Sequence, residues 1–159
     1  DSAEYTVFRN ALYCVMMNLT RMLAYDGEGA TKLLECKVSG AKDLDTAIVV
    51  AKSVVCSPLL KCAMFGADAN WGRILCAMGY SGAQFDPEKV DLFFESKAGK
   101  IQIIENGVAV DYSEEEATKI LSEEAVTAIA DVKMGDATAT AWGCDLTYEY
   151  VTINADYRS

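Results

Sequence analysis

An α+β layered fold is what this sequence predicts. Helical and alternating apolar patterns are mixed along the chain without repeating as βαβ units. An Asn106-Gly107 pair lies between two alternating runs, the signature of an antiparallel hairpin. With 159 residues, 52% of them hydrophobic, the chain has enough apolar matter to bury a full core as one domain, residues 1–159.

The elements follow in order. Asp1 and Glu4 stand at capping-box spacing, with Asp in place of the usual Ser or Thr, and Tyr5, Phe8, Leu12, Val15, Leu19 and Leu23 follow along one face. Residues 1–25 therefore read as an amphipathic helix ended by Gly27. A strand is expected near 33–39 and an apolar helix from about Asp45 to Val55, with Ser57-Pro58 interrupting it or starting another. A further helix follows Gly72, and Tyr80-Ser81-Gly82-Ala83 breaks the pattern. Val90–Glu95 reads as a strand, and Lys100–Ile104 and Val108–Val110 flank the hairpin turn. Ser113-Glu114-Glu115-Glu116 opens a short helix whose acidic first turn suits the helix dipole. Two β-rich stretches, Ala125–Met134 and Thr138–Ile153, close the chain, with Gly135-Asp136 between them and a polar tail of the kind that normally frays.

Composition excludes several classes of function. The formal charge of −10, from 24 acidic and 14 basic residues, argues against nucleic acid, which needs clustered Lys and Arg. No apolar run is long enough to cross a bilayer, and the start D-S-A-E-Y lacks a basic leader, so neither a membrane role nor a targeting segment is expected. The six cysteines are scattered without a C-x-x-C pair, which favours buried thiols over disulfides or a metal site. Histidine is absent, which removes any Ser-His-Asp or Cys-His arrangement within the chain. No metal or cofactor is expected.

Three stretches carry chemistry-bearing residues. D-G-E-G-A-T-K, Asp26 to Lys32, has the residues of a phosphate loop but not the Walker spacing. Asp26 and Glu28 make it acidic, and the segment after it reads as a strand, so no helix N-terminus is on offer. Its glycines permit close approach to a ligand and leave Glu28 displayed as a carboxylate acceptor, which suits an ammonium group. In the second stretch, Asp68, Asn70, Trp71 and Arg73 crowd together ahead of a helix. The structural reading has Asp68 or Asn70 capping that helix, Trp71 plugging the core and Arg73 pairing with a carboxylate. In the third, Asn154 and Ser159 are placed to hydrogen-bond a ligand carboxylate or amide if the tail folds back over a site. Glu114–Glu116 with Glu123 and Glu124 is a solvated face.

Together, G-E-G-A-T-K, S-P-L-x-K-x-A-x-x-G-x-D-A-N-W-G-R and the ending N-A-D-Y-R-S resemble the bifunctional ornithine acetyltransferase / N-acetylglutamate synthase family of arginine biosynthesis. The motifs occur in order across residues 27–159. The resemblance implies an α/β/β/α-type sandwich with mixed or antiparallel sheets, of the self-processing N-terminal-nucleophile acyltransferase type. In that family a precursor cleaves itself into α and β chains, and the new N-terminal threonine of the β chain takes acetyl from N-acetylornithine and passes it to glutamate. A terminal amine serves as the base, so no histidine is needed, and the α chain supplies the oxyanion hole.

By that resemblance the chain is the C-terminal part of a β chain, and Glu28, Asn154 and Ser159 match substrate-binding positions. The implied partners are an α chain in an α2β2 heterotetramer, with N-acetylornithine and glutamate as substrates and acetyl-CoA as a second donor in bifunctional members. The implied location is the cytoplasm, or the mitochondrial matrix in a eukaryote. The nucleophile motif K-G-x-G-M-I-x-P-N-M-A-T-M-L is absent and position 1 is Asp, so no catalytic residue is assigned here and this polypeptide alone is expected to be inactive. A related self-processing aminopeptidase and a non-catalytic scaffold or binding subunit are the alternatives.

Overall fold

The computed structural model describes residues 2–156. The chain runs α1 (Ala3–Tyr25), β1 (Leu33–Ala41), α2 (Leu44–Cys56), α3 (Pro58–Phe65) and α4 (Trp71–Gly79). After a 3-10 turn at Pro87–Lys89 come β2 (Asp91–Ser96), β3 (Gly99–Glu105), β4 (Val108–Ala109), α5 (Glu114–Leu121), β5 (Ala125–Asp131), β6 (Ala137–Cys144) and α6 (Tyr148–Asp156). The strands form one six-stranded sheet in the order β4-β3-β2-β5-β1-β6. Only β1 and β5 pair in parallel; the other neighbours are antiparallel. The expected α+β class with a mixed sheet is thus the class observed. No single helix among the described residues is long and apolar enough to cross a bilayer.

Local chemistry explains most boundaries. Asp43 caps α2 by accepting from the Thr46 amide at 2.7 Å, and Ser113 caps α5 by accepting from the Glu116 amide at 3.2 Å. Ser57 ends α2 and caps α3, whose first residue is Pro58, where a missing N–H costs nothing. Asn106 and Gly107 take φ of 46° and 75°, the left-handed pair that a two-residue hairpin turn requires. At the chain start, the hydroxyl of Ser2 accepts from the Tyr5 amide and caps α1. The Asp1 to Glu4 box was expected there, and Asp1 lies outside the described residues.

The core lies on one face of the sheet. Leu34, Cys36 and Val38 of β1 align with Val126, Ala128 and Ala130 of β5, and Leu92 and Phe94 of β2 continue the layer. Against this layer pack Val50, Ala51 and Val54 of α2, Ile74 and Met78 of α4, and Ile120 and Leu121 of α5. The opposite face carries Glu35, Lys37, Phe93, Ile129 and Trp142, all at least partly exposed, with the Trp142 indole donating to the Glu35 carboxylate. Helix α1 runs beside β6 and β1. None of its residues is buried, so the stripe of Tyr5, Phe8, Leu12, Val15, Leu19 and Leu23 meets solvent along its whole length.

Two expectations need correction. The β-rich stretch Thr138–Ile153 is a strand only to Cys144, and Tyr148–Asp156 is helical. Tyr, Val, Thr and Ile favour strands, but β6 pairs with β1, and β1 begins at Leu33, opposite Cys144. Beyond that point the chain has no partner strand, and it satisfies its backbone internally as a helix. The six cysteines are free thiols as expected, but only Cys36 is buried; Cys14, Cys56, Cys62 and Cys76 are exposed and Cys144 is intermediate.

Two outcomes follow for stability. Burial pushes the Cys36 thiol from its ordinary 9.0 up to about 12, and the neighbouring Glu35 charge adds to the rise. The unfolded chain therefore gives up this proton at lower pH than the folded one, so stability falls as pH rises from about 9 toward 12, by on the order of 4 kcal/mol at the limit. Denaturation of Cys36→Ala across that range should show a shallower alkaline decline than wild type, and an unchanged slope would refute the assignment. At Gly107, an added Cβ would sit 2.5 Å from the Pro87 carbonyl oxygen on a backbone already at positive φ. Gly107→Ala should cost about 1–3 kcal/mol in equilibrium unfolding, and a neutral result would contradict the turn geometry.

Candidate functional site

The loop from Asp26 to Lys32 connects α1 to β1. Its turn is closed by the Ala30 amide donating to the Gly27 carbonyl at 2.9 Å. A strand follows the loop, as expected, so the loop does not run on into a helix; the first turn of α6 nevertheless lies against it, with the Tyr150 amide nitrogen 3.1 Å from where a Cβ on Gly29 would sit. The two glycines serve a purpose different from the expected close approach to a ligand. A Cβ on Gly27 would lie 2.6 Å from the Cys144 Sγ, and one on Gly29, at φ 67°, would lie 2.5 Å from the Glu149 Cβ. They let the loop press against the chain segment that leaves β6 and enters α6.

That seam is fastened at its buried end by Asp145, which is 2% exposed. Its Oδ1 accepts from the Thr31 amide at 2.8 Å and the Lys32 amide at 3.0 Å, and its Oδ2 accepts from the Thr31 hydroxyl at 2.5 Å. The Asp145 amide in turn donates to the Lys32 carbonyl at 3.2 Å. Lys32 is itself buried, at 9% exposure. Its ammonium donates to the carbonyls of Met64 at 2.7 Å and Leu121 at 2.8 Å, at the C-terminal ends of α3 and α5. Burial pushes the Lys32 ammonium below its usual range, and the charge of Asp145 works against that shift. Farther along, the Thr147 hydroxyl donates to the Gly29 carbonyl at 2.7 Å.

At the exposed end of the same seam, Asn154 Nδ2 donates to Glu28 Oε2 at 2.7 Å and to the Tyr150 carbonyl at 2.8 Å. Both hydrogens of the amide are committed. Among the described residues, Asn154 Oδ1 and the second Glu28 oxygen take no hydrogen bond, so this end of the seam has acceptors left open. Two of the three residues singled out from the sequence are thus brought together from loop and terminal helix. The third, Ser159, lies outside the described residues. Sequence reasoning missed Asp145 and left Lys32 without a role. A lysine just ahead of an apolar strand and an aspartate inside Cys144-Asp145-Leu146 are the signals that point to buried charges needing partners.

The Asp68 to Arg73 stretch resolves into a capping device. Asn70 caps α4 by accepting from the Arg73 amide at 3.1 Å, and its own Nδ2 donates to Asp68 Oδ2 at 3.0 Å. Trp71 does not plug the core but is 40% exposed at the first helical position. Arg73 donates to the Leu59 carbonyl at 2.8 Å rather than to a carboxylate, tying α4 to α3. Among the described residues no group of three or more His, Cys, Asp or Glu side chains converges as metal ligands would.

Comparison with known proteins places this geometry in a family. The family model described as the ArgJ family matches residues 1–159. The arginine biosynthesis bifunctional protein ArgJ 1 of Clostridium acetobutylicum is 50% identical over 159 residues, which are 100% of this chain and 39% of that protein. The arginine biosynthesis bifunctional protein ArgJ of Thermotoga neapolitana is 52% identical over 149 residues, 94% of this chain and 38% of its own length. A glutamate N-acetyltransferase of Methanosarcina mazei is 45% identical over 153 residues, 96% of this chain and 39% of that protein. The crystal structure of the arginine biosynthesis bifunctional protein of Bacillus halodurans superposes with a TM-score of 0.92 at 43% identity, covering 98% of this chain and 72% of the solved one. The chain spans about two fifths of the length of these curated relatives. It belongs to the ArgJ family.

Proposed function

We propose that this chain is the C-terminal part of the β chain of a glutamate N-acetyltransferase. In this reading the assembled enzyme moves acetyl from N-acetylornithine to glutamate through an acetyl-threonine intermediate, in arginine biosynthesis. The names of the relatives support the reaction, and the observation that carries the site is the 2.7 Å contact between Glu28 and Asn154. A carboxylate beside an amide whose hydrogens are spent leaves an acceptor pair, and an acceptor pair suits an ammonium group more than a carboxylate. N-acetylornithine carries an ammonium at the end of its side chain and glutamate carries one at its α-carbon, so each substrate offers a group for this pair. Ser159 completes the set as a hydroxyl at the end of the tail.

The residues 1–159 act in this reading as a single domain completed by other segments of the precursor. A preceding segment supplies the threonine nucleophile, whose terminal amine takes the proton during attack on the acetyl carbonyl. The α chain supplies oxyanion donors and pairs with the β chain as an α2β2 heterotetramer. The exposed apolar stripe of α1 supports an association of this kind, since a surface of that size is normally covered. Acetyl-CoA serves as a second donor if the enzyme is bifunctional. The enzyme works in the cytoplasm, or in the matrix of a mitochondrion.

The test is acetyl transfer from N-acetylornithine to glutamate by the complete assembled protein. Glu28→Ala should lower kcat/KM by roughly 10- to 150-fold, matching the about 1.5–3 kcal/mol of a hydrogen bond to a charged group. An unchanged kcat/KM would remove Glu28 from the site. Absence of ornithine release from a verified intact assembly would overturn the reaction itself and favour peptide hydrolysis.

A further inference from the structure

We propose that Asp145 is a positioning residue for Glu28, holding the loop and the terminal helix in register so that the Glu28 carboxylate and Asn154 amide meet as one acceptor site. The proposal rests on the substrate role of Glu28 and Asn154 given above. Asp145 lies at the buried end of the seam and touches neither of those side chains.

Three observations carry it. First, all the acceptor contacts of Asp145 go to Thr31 and Lys32, the last residues of the loop, while its own backbone belongs to the segment that becomes α6. One carboxylate therefore joins the two pieces of chain that bear Glu28 and Asn154. Second, the contacts proceed along the seam in order, from Asp145 with Thr31 and Lys32, through Thr147 with Gly29, to Asn154 with Glu28. A shift at the first contact is transmitted to the last, because Gly29 leaves no slack against Glu149. Third, α6 has no buried residue of its own among those described. Apolar burial does not fix its place, so the polar contacts of the seam and the edge-on stacking of Tyr148 against Phe65, with ring centroids 5.6 Å apart, set its position.

The chemistry of Asp145 fits this task. An ionised carboxylate is acceptor-only, and here it meets three donors from two successive residues. Charge-assisted bonds of this kind are shorter and stiffer than neutral ones. Asparagine at this position keeps the shape but presents an N–H where the Thr31 hydroxyl now donates.

The experiment is a double-mutant cycle on the complete assembled protein, with Asp145→Asn, Glu28→Gln and the pair, reading KM for N-acetylornithine and kcat separately. Asp145→Asn should raise KM by on the order of tenfold with little change in kcat, because misplacing a binding group weakens ground state and transition state alike. In the Glu28→Gln background the same substitution should add little, since its effect runs through Glu28. Additive losses, or a fall in kcat with KM unchanged, would overturn the positioning role while leaving Glu28 in the site. A Glu28→Gln enzyme with unaltered KM would overturn both. Thr31→Val, which removes only the hydroxyl contact and leaves the buried charges intact, serves if Asp145→Asn fails to assemble. It should raise KM in the same direction and show the same loss of effect beside Glu28→Gln. Failure of both variants to assemble would assign Asp145 to folding alone and overturn the proposal.

Discussion

A single ammonium group, buried where two helices end, organises the region around the candidate site. Lys32 places its positive charge against the C-terminal carbonyls of α3 and α5, where the helix dipoles leave partial negative charge and unpaired acceptors. Taking a lysine out of water costs several kcal/mol, and that cost is offset only if its donors are satisfied and an opposite charge lies near. Two of its three donors are taken by the carbonyls of Met64 and Leu121, and Asp145 supplies the opposite charge. Because Lys32 immediately precedes β1, the arrangement fixes the start of a central strand relative to the helical layer. The same residue, through its backbone, fixes the loop relative to the end of β6.

The rest of the architecture is uneven in its burial. One sheet face is closed by α2, α4 and α5 into a continuous apolar core. The other face, with α1 alongside, leaves Phe93, Ile129 and Trp142 partly exposed and a whole helix of apolar side chains in solvent. A 23-residue helix without buried residues gains little from propensity alone.

Much of this was legible in the sequence where local chemistry decides. Asn106-Gly107, Ser57-Pro58 and the acidic turn after Ser113 each announce a boundary through backbone needs that few other residues meet, and the structure has a boundary at each. Legibility failed where a distant partner decides. Tyr148–Ile153 carries strand-forming residues, but β1 begins opposite Cys144, a fact set by pairing rather than by propensity. Trp71 and Arg73 were assigned a core and a carboxylate, while their surroundings are solvent and a carbonyl of α3. Of the site, the acidic loop and Asn154 were visible as motifs, and their contact was not. Asp145 shows in the sequence only as a charge between apolar neighbours, and its role does not, because its donors lie 113 and 114 positions away.

That long separation also has a consequence for the order in which the protein takes shape. Glu28 and Asn154 stand 126 positions apart, and β1, the strand leading out of the loop, pairs with β5 and β6, which are made late in the chain. During synthesis β1 therefore emerges long before either neighbour exists. Its apolar residues wait with unpaired backbone edges, a state in which chains are prone to wrong association. Closing such large loops is slow. The centre of the sheet can close only after β5 has been made, and the Glu28–Asn154 pair only after α6, so a product truncated before Ala125 would lack both.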